Sequence, residues 1–209
     1  MSVMPGDRIL IVGPSGAGKS SLLRAIAGLW STGKGTVHRN TGAFFVPQEA
    51  YMTIGSLRQQ LLFPSSLFAE AGTLALSDID LENVLKKVNL ADLHNKCGMD
   101  DTVEWKDVLS AGEQQRLSFA RVLIQEPRLA FLDEATSALD DKNEELMYTI
   151  LADKVQSWVS IGHRMSLLKY HTHVLTPAPS SNTTRKWQLL SVTRYRQKYS
   201  PGLSLSGEM

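Results

Sequence analysis

The chain is almost without cysteine. Cys97 is the only one in 209 residues, which excludes an intramolecular disulfide framework and leaves that residue as a small buried or incidental side chain. There is no unbroken apolar run of about 18 residues, so no segment reads as a membrane span and any membrane role must be borrowed from a partner. The opening stretch, MSVMPGDRILIVG, has no basic region leading into an apolar run of signal-peptide length. Charge of one sign is missing too: 22 Lys and Arg against 21 Asp and Glu give a formal charge of +1, which argues against a strongly basic nucleic-acid binder. Internal repeats and heptad runs are absent. What is present is 43% hydrophobic and 21% charged, the composition of an ordinary soluble domain long enough to bury its own core.

Short apolar runs alternate with helical patterns, which predicts an α/β fold with a mostly parallel sheet. Ile9 to Val12 reads as a buried strand ending at a glycine-rich turn, and Ser20 to Leu29 as a helix with Leu22, Leu23, Ile26 and Ala27 at helical spacing. Phe44 to Val46 is a second strand, stopped by Pro47, which has no N–H for a ladder. Arg128 to Leu132 and Trp158 to Ile161 read as further buried strands. His173 to Leu175 and Trp187 to Val192 are weaker, an edge hairpin around the loop Pro177 to Thr184. Between the second and third strands the pattern becomes helical, with helices expected over Gly55 to Leu62, Leu81 to Leu93 and Gly112 to Gln125. The expected organisation is one domain over 1–192 with a helical insertion over about 49–126. A polar, disordered tail is expected over 193–209.

Gly13-Pro14-Ser15-Gly16-Ala17-Gly18-Lys19-Ser20 fits G-x-x-x-x-G-K-[ST] directly after a strand and before a helix, the context that makes it a P-loop. The glycines let successive N–H groups curl around an anion, and the helix N-terminus adds its positive end. Lys19 is placed to neutralise the β- and γ-phosphates of ATP, Ser20 to offer a hydroxyl to Mg²⁺, and Ser21 to hydrogen-bond the α-phosphate. Leu129 to Leu132 is an apolar strand ending in two acids. Asp133 is the expected Mg²⁺ residue and Glu134 the expected general base.

Leu109-Ser110-Ala111-Gly112-Glu113-Gln114-Gln115-Arg116 resembles the signature sequence of ABC ATPases, usually written LSGGQ, with Ala for the first Gly and Glu for Gln. The resemblance implies that Ser110, Ala111, Gly112 and Glu113 complete the nucleotide site of an opposite subunit, so that closed sites need a head-to-tail homo- or heterodimer. Three more segments match in order. Pro47-Gln48 resembles the Q-loop, with Gln48 contacting Mg²⁺ and the attacking water. Ser137-Ala138-Leu139-Asp140 resembles the D-loop lining the dimer seam, and Ile161 to Arg164 the switch region whose His163 orients Glu134. His38, His94, His171 and His173 match nothing and read as surface or structural. On this resemblance the catalytic set is Glu134, His163, Gln48 and Lys19, and the metal set Ser20, Gln48 and Asp133.

Ala27 to Trp30, Tyr51 to Arg58, Glu104-Trp105 and Ser110 to Arg116 resemble subfamily D, the peroxisomal fatty-acyl half-transporters and their bacterial and algal or plastid relatives. The likeness covers about Pro5 to Leu190. It implies an Mg-dependent ATPase that powers transport of fatty acyl or other lipid-like substrates. It also implies transmembrane helices N-terminal to this domain, and a place on the cytosolic face of a membrane, peroxisomal or plastid, through a transmembrane partner. No nucleic-acid partner is expected. The family's adenine-stacking A-loop aromatic and leading antiparallel strands lie upstream of Pro5, where this sequence has four residues and no aromatic. If base stacking is worth about 1–3 kcal/mol, ATP affinity without it is expected to be about 5- to 150-fold weaker. Two alternatives stay open: a soluble ABC ATPase acting on nucleic acid or ribosomes, and a regulatory nucleotide-binding domain of weak activity.

Overall fold

A computed structural model describes residues 3–30, 32, 34, 36–38, 42–64, 76–178 and 186–199. Six strands form the main sheet: β1 (Arg8–Ile11), β2 (Ala43–Val46), β5 (Leu129–Asp133), β6 (Ser157–Ile161), β7 (His173–Pro177) and β8 (Trp187–Ser191). Their order is β2-β5-β6-β1-β7-β8, parallel throughout except for the antiparallel edge pair β7–β8. The pleat divides the core between two faces. On β1, Leu10 points to one side and Ile9 and Ile11 to the other. The Ile9 side holds Leu23, Ala27, Phe131, Val159, Ile161 and Leu175, and the Leu10 side the larger cluster with Trp105, Leu117, Tyr148 and Trp158.

Helix α1 is Lys19–Ala27, closed by Gly28 at φ 78°, whose left-handed backbone lets the N–H of Leu29 reach the carbonyl of Arg24. Between β2 and β5 lie α2 (Leu57–Leu62), α3 (Asp78–Lys87), α4 (Leu93–Cys97), α5 (Trp105–Val108) and α6 (Ala111–Gln125), with a short antiparallel pair β3 (Ile54–Gly55) and β4 (Val103–Glu104). Helix α7 is Asp141–Lys154 and α8 is Val192–Tyr199.

Several boundaries differ from the sequence expectation. The helix expected from Gly55 begins two residues later, because Ile54 and Gly55 pair with β4 and Ser56 caps α2, its hydroxyl accepting from the N–H of Gln59. The single helix expected over Leu81 to Leu93 is two. Ser77 caps α3 early with a reciprocal bond to Asp80, and Asn89 at φ 58° turns the chain before α4. The tail expected to be disordered from 193 starts as helix α8, whose Val192 and Tyr195 pack on the core. Residues 200–209 and the loop 179–185 lie outside the described residues.

Two buried polar groups shape the larger core. Arg121 on α6 is 4% exposed and donates to the carbonyls of Gln60 (2.8 Å) and Tyr51 (2.6 Å) and to Oε1 of Gln60 (3.1 Å). Burial pushes its pKa down to about 10. His171 sits beside Leu167 O, 2.7 Å from Nδ1, so Nδ1 carries the proton and Nε2 accepts from Trp158 Nε1 (3.1 Å) and Ser160 Oγ (2.6 Å). Protonating Nε2 would set a second proton against the indole N–H. Burial first, and the nearby Arg8 after it, bring the His171 pKa from 6.5 to about 4.

The depressed pKa means that the unfolded chain binds the extra proton first. Stability from this group is complete above about pH 6.5 and is lost as pH falls toward 4, by roughly 3 kcal/mol. Urea midpoints measured at pH 7 and pH 4.5 are expected to drop further in the unmutated chain than in His171→Gln, and equal drops would remove this account of His171.

Candidate nucleotide site

Four loops at the C-terminal ends of adjacent parallel strands build the site. β6 lies between β1 and β5, with Ile161 registered against Ile11 on one side and Asp133 on the other. The loop after β6, carrying His163, therefore sits between the glycine-rich loop after β1 and the acids at the end of β5. The loop after β2, carrying Pro47-Gln48, flanks the acids from the far side. The carboxyl ends of strands are where open parallel sheets hold ligands.

The loop Gly13 to Ser20 turns through Gly16 at φ 70° and Gly18 at φ 85°, left-handed positions that side chains rarely adopt. Lys19 is 6% exposed and its Nζ donates to the carbonyls of Gly13 (3.1 Å) and Pro14 (3.2 Å), folded back over the loop it follows. The Asp133 side chain is fully buried at the end of β5, with both oxygens engaged. Oδ1 accepts from Ser20 Oγ at 2.8 Å, and Oδ2 pairs with Arg24 Nη2 at 3.1 Å. Sequence reasoning missed Arg24. Its signal was available, since Ser20 and Arg24 are four residues apart and share a face of α1.

Glu134 follows at φ 50°, a left-handed backbone costing an L-residue about 1–2 kcal/mol. Its carboxylate is held at both ends, by Gln48 Nε2 on Oε2 (3.1 Å) and by His163 Nε2 near Oε1 (3.1 Å). A carboxylate oxygen accepts, so the ring nitrogen is the donor. A cleft of about 270 Å³ is lined by Ser15, Gly16, Ala17, Gly18, Lys19, Ser20, Ser21, Glu134 and His163.

The other expected residues lie elsewhere. Ser110 caps α6: its hydroxyl accepts from the N–H of Glu113, and Glu113 Oε2 accepts from the Ser110 N–H (2.9 Å) and Oγ (2.6 Å). The Ser110 hydroxyl bond holds the Glu113 carboxyl below its usual pKa. Ala111 opens the helix, and Gly112 runs so close to the loop after β5 that a Cβ there would meet Ala138 O at 3.2 Å. No residue of 110–113 lines the cleft. Of the seam quartet, Ser137, Ala138 and Asp140 are exposed, whereas Leu139 is 3% exposed and belongs to this chain's own core. Asp140 caps α7, accepting from the Asn143 N–H at 2.8 Å, which lowers its pKa.

Among the described residues no group of three or more His, Cys, Asp or Glu could hold a metal ion. Ser20, Asp133 and Gln48 instead offer a sparse set of hydroxyl, carboxylate and amide oxygens. That set fits Mg²⁺, which takes few protein ligands and fills its shell with water and substrate phosphates.

A left-handed glycine loop on a helix N-terminus, facing a buried aspartate at the end of a neighbouring parallel strand, defines a P-loop nucleotide-binding α/β protein. The family described as ABC transporter matches residues 1–137, and the chain belongs to that family, in the part that forms its ATP-binding domain. An uncharacterized ABC transporter ATP-binding protein of Synechocystis is 51% identical over 84% of this chain and 26% of its own length. The chloroplastic ABC transporter D family member 2 of Arabidopsis thaliana is 40% identical over 89% of this chain and 33% of its own. The human lysosomal cobalamin transporter is 38% identical over 92% and 32%. The chain thus spans a quarter to a third of the length of these curated relatives. A bacterial Atm1-family ABC exporter shares the fold, with a TM-score of 0.73 at 24% identity over 99% of this chain and 38% of that one. Among the described residues no helix is long and apolar enough to cross a membrane.

Proposed function

We propose that the chain is the Mg-ATP-hydrolysing engine of a membrane transporter, one ATPase domain over 1–192 with the helical arm at 49–126, working as half of a head-to-tail dimer. The observation that carries it is the cleft in which Lys19 and Ser20 face Glu134 and His163, with the Glu134 carboxylate already clamped by Gln48 and His163. Phosphates lie on the loop N–H groups of Gly13 to Ser21, and Lys19 exchanges its two carbonyl partners for phosphate oxygens. When bound at Ser20, Asp133 and Gln48, Mg²⁺ neutralises charge on the phosphates. Each Glu134 oxygen keeps a free lone pair beside its clamp. Glu134 accepts a proton from the attacking water as the bond from water oxygen to the γ-phosphorus forms and the bond from the γ-phosphorus to the bridging oxygen breaks, that oxygen leaving with ADP.

The position of Ser110 to Glu113 outside this cleft supports their service to a partner's site, with Ser137, Ala138 and Asp140 at the seam. The domain lies on the cytosolic face through a transmembrane partner. One named relative is chloroplastic and another is a lysosomal cobalamin transporter, and the reading is confined to the engine they have in common.

Lys19→Ala tests it. The charge-assisted phosphate contact is worth about 1.5–3 kcal/mol, so calorimetry should show ATP affinity about 10- to 150-fold weaker, and hydrolysis should fall with it. The fold should survive, because Nζ contacts only two loop carbonyls. Unchanged affinity would remove Gly13 to Ser20 from the phosphate site.

A further inference from the structure

Gln115 lies on α6 five residues after Ser110, is 5% exposed, does not line the cleft and has been given no role above. Its amide nonetheless reaches two loops that come from different strands. Nε2 donates to Ser137 Oγ at 3.1 Å and, at 3.4 Å, to the carbonyl of Gln48. Oε1 accepts from the N–H of Ala138 at 2.9 Å. The side chain of that same Gln48 donates to Glu134. One turn earlier, Gly112 abuts the carbonyl of Ala138, so α6 meets both polar groups of one peptide position.

We propose that Gln115 is a positioning residue for ATP hydrolysis. Through one amide it joins α6, the loop Ser137–Asp140 and the backbone of Gln48, so that the placement of Ser110 at its end of α6 and the aim of Glu134 in the cleft are coupled within a single chain. The inference rests on the proposed ATPase. A shift of α6, as Ser110 meets a partner's nucleotide, is carried to Gln48 and from there to Glu134. Without the amide, Gln48 loses its backbone anchor and Ala138 N–H its acceptor, while the phosphate loop is untouched. The loss therefore falls on turnover and not on ATP binding.

Two variants of the 209-residue chain test this. Gln115→Leu removes all three bonds. Gln115→Glu keeps an acceptor for Ala138 N–H and the side-chain shape but has no N–H to give Gln48. Each is read by thermal melting, by calorimetric ATP affinity, and by kcat and KM. Misplacing a catalytic group by about 1 Å costs on the order of 100-fold. A fall in kcat of roughly 10- to 100-fold is expected in both variants, with ATP affinity and KM kept within about twofold. Gln115→Glu buries a carboxylate against the Gln48 carbonyl and should melt below the unmutated chain, so whichever of the two variants stays folded decides the matter. Folded variants with unchanged kcat, or with the loss confined to KM, would overturn the inference. Glu134→Gln is run alongside. If it is dead while both Gln115 variants are fully active, the ATPase reading stands and this inference falls. If Glu134→Gln is itself fully active, Glu134 is not the base and this inference falls with that role, whereas an unmutated chain that hydrolyses no ATP would sink the ATPase reading first.

Discussion

Glu134→Gln is expected to retain ATP and to lose turnover by about 10²–10⁴-fold, the usual worth of a general base. The change is nearly isosteric. The amide keeps one oxygen that accepts from Gln48 or His163, and the left-handed backbone at φ 50° is unchanged. What it cannot do is take a proton from water. Because the P-loop and Asp133 are untouched, nucleotide affinity should hold, and calorimetry checks this separately from the rate. A site that binds ATP but cannot discharge it should also hold two subunits together, since ligand that binds only the closed pair stabilises it by mass action. Size-exclusion with Mg-ATP should then show a larger dimer fraction than the unmutated chain. A mutant that hydrolyses ATP at the unmutated rate would remove Glu134 from its role.

Ser110→Arg combined with Lys19→Ala gives the second large effect, recovery of activity from two nearly dead proteins. Ser110→Arg alone fills the space that a partner's γ-phosphate needs, and should abolish hydrolysis at every protein concentration while leaving monomer ATP affinity nearly intact. It also removes the α6 cap, at a cost of about 0.5–2 kcal/mol, so a melting curve must accompany it. In a mixed dimer one composite site carries both defects. The other joins the intact P-loop of the Ser110→Arg chain to the intact Ser110 of the Lys19→Ala chain. Random pairing makes half the dimers mixed, each with one good site, so independent sites would restore about a quarter of the unmutated rate. The unmutated chain should show specific activity that rises with concentration. No recovery from two folded mutants, together with a constant specific rate in the unmutated chain, would sink the shared-site model.

Much of the sheet was legible because its cues are local. Ile9 to Val12, Phe44 to Val46, Arg128 to Leu132 and Trp158 to Ile161 are short, largely apolar runs bounded by turn residues, and each appears as a strand within a residue or two of the expected span. The edge pair β7–β8 was legible for the same reason. Helix ends were read less well, because capping depends on where Ser56 and Ser77 point and not on the apolar period. The start of the tail, 193–199, was misread because its polar composition hides the packing of Val192 and Tyr195, which find a docking surface only once the sheet exists.

By itself the sequence determined the phosphate loop, the acid pair Asp133-Glu134, the order of the motifs along the chain and the membership of its elements in an α/β sheet. Each of these is set by neighbours within a few residues, through glycine φ freedom, apolar run length and helix spacing. Only the tertiary structure decided that β6 separates β1 from β5 and so sets His163 between the P-loop and Glu134, and that Arg24 takes the second oxygen of Asp133. It alone turned Leu139 inward and made Gln115 the bridge between two loops. Those pairings join residues 22 to 109 positions apart. Their partners are chosen by which strands lie side by side and which buried donors need acceptors, and no local period records either choice.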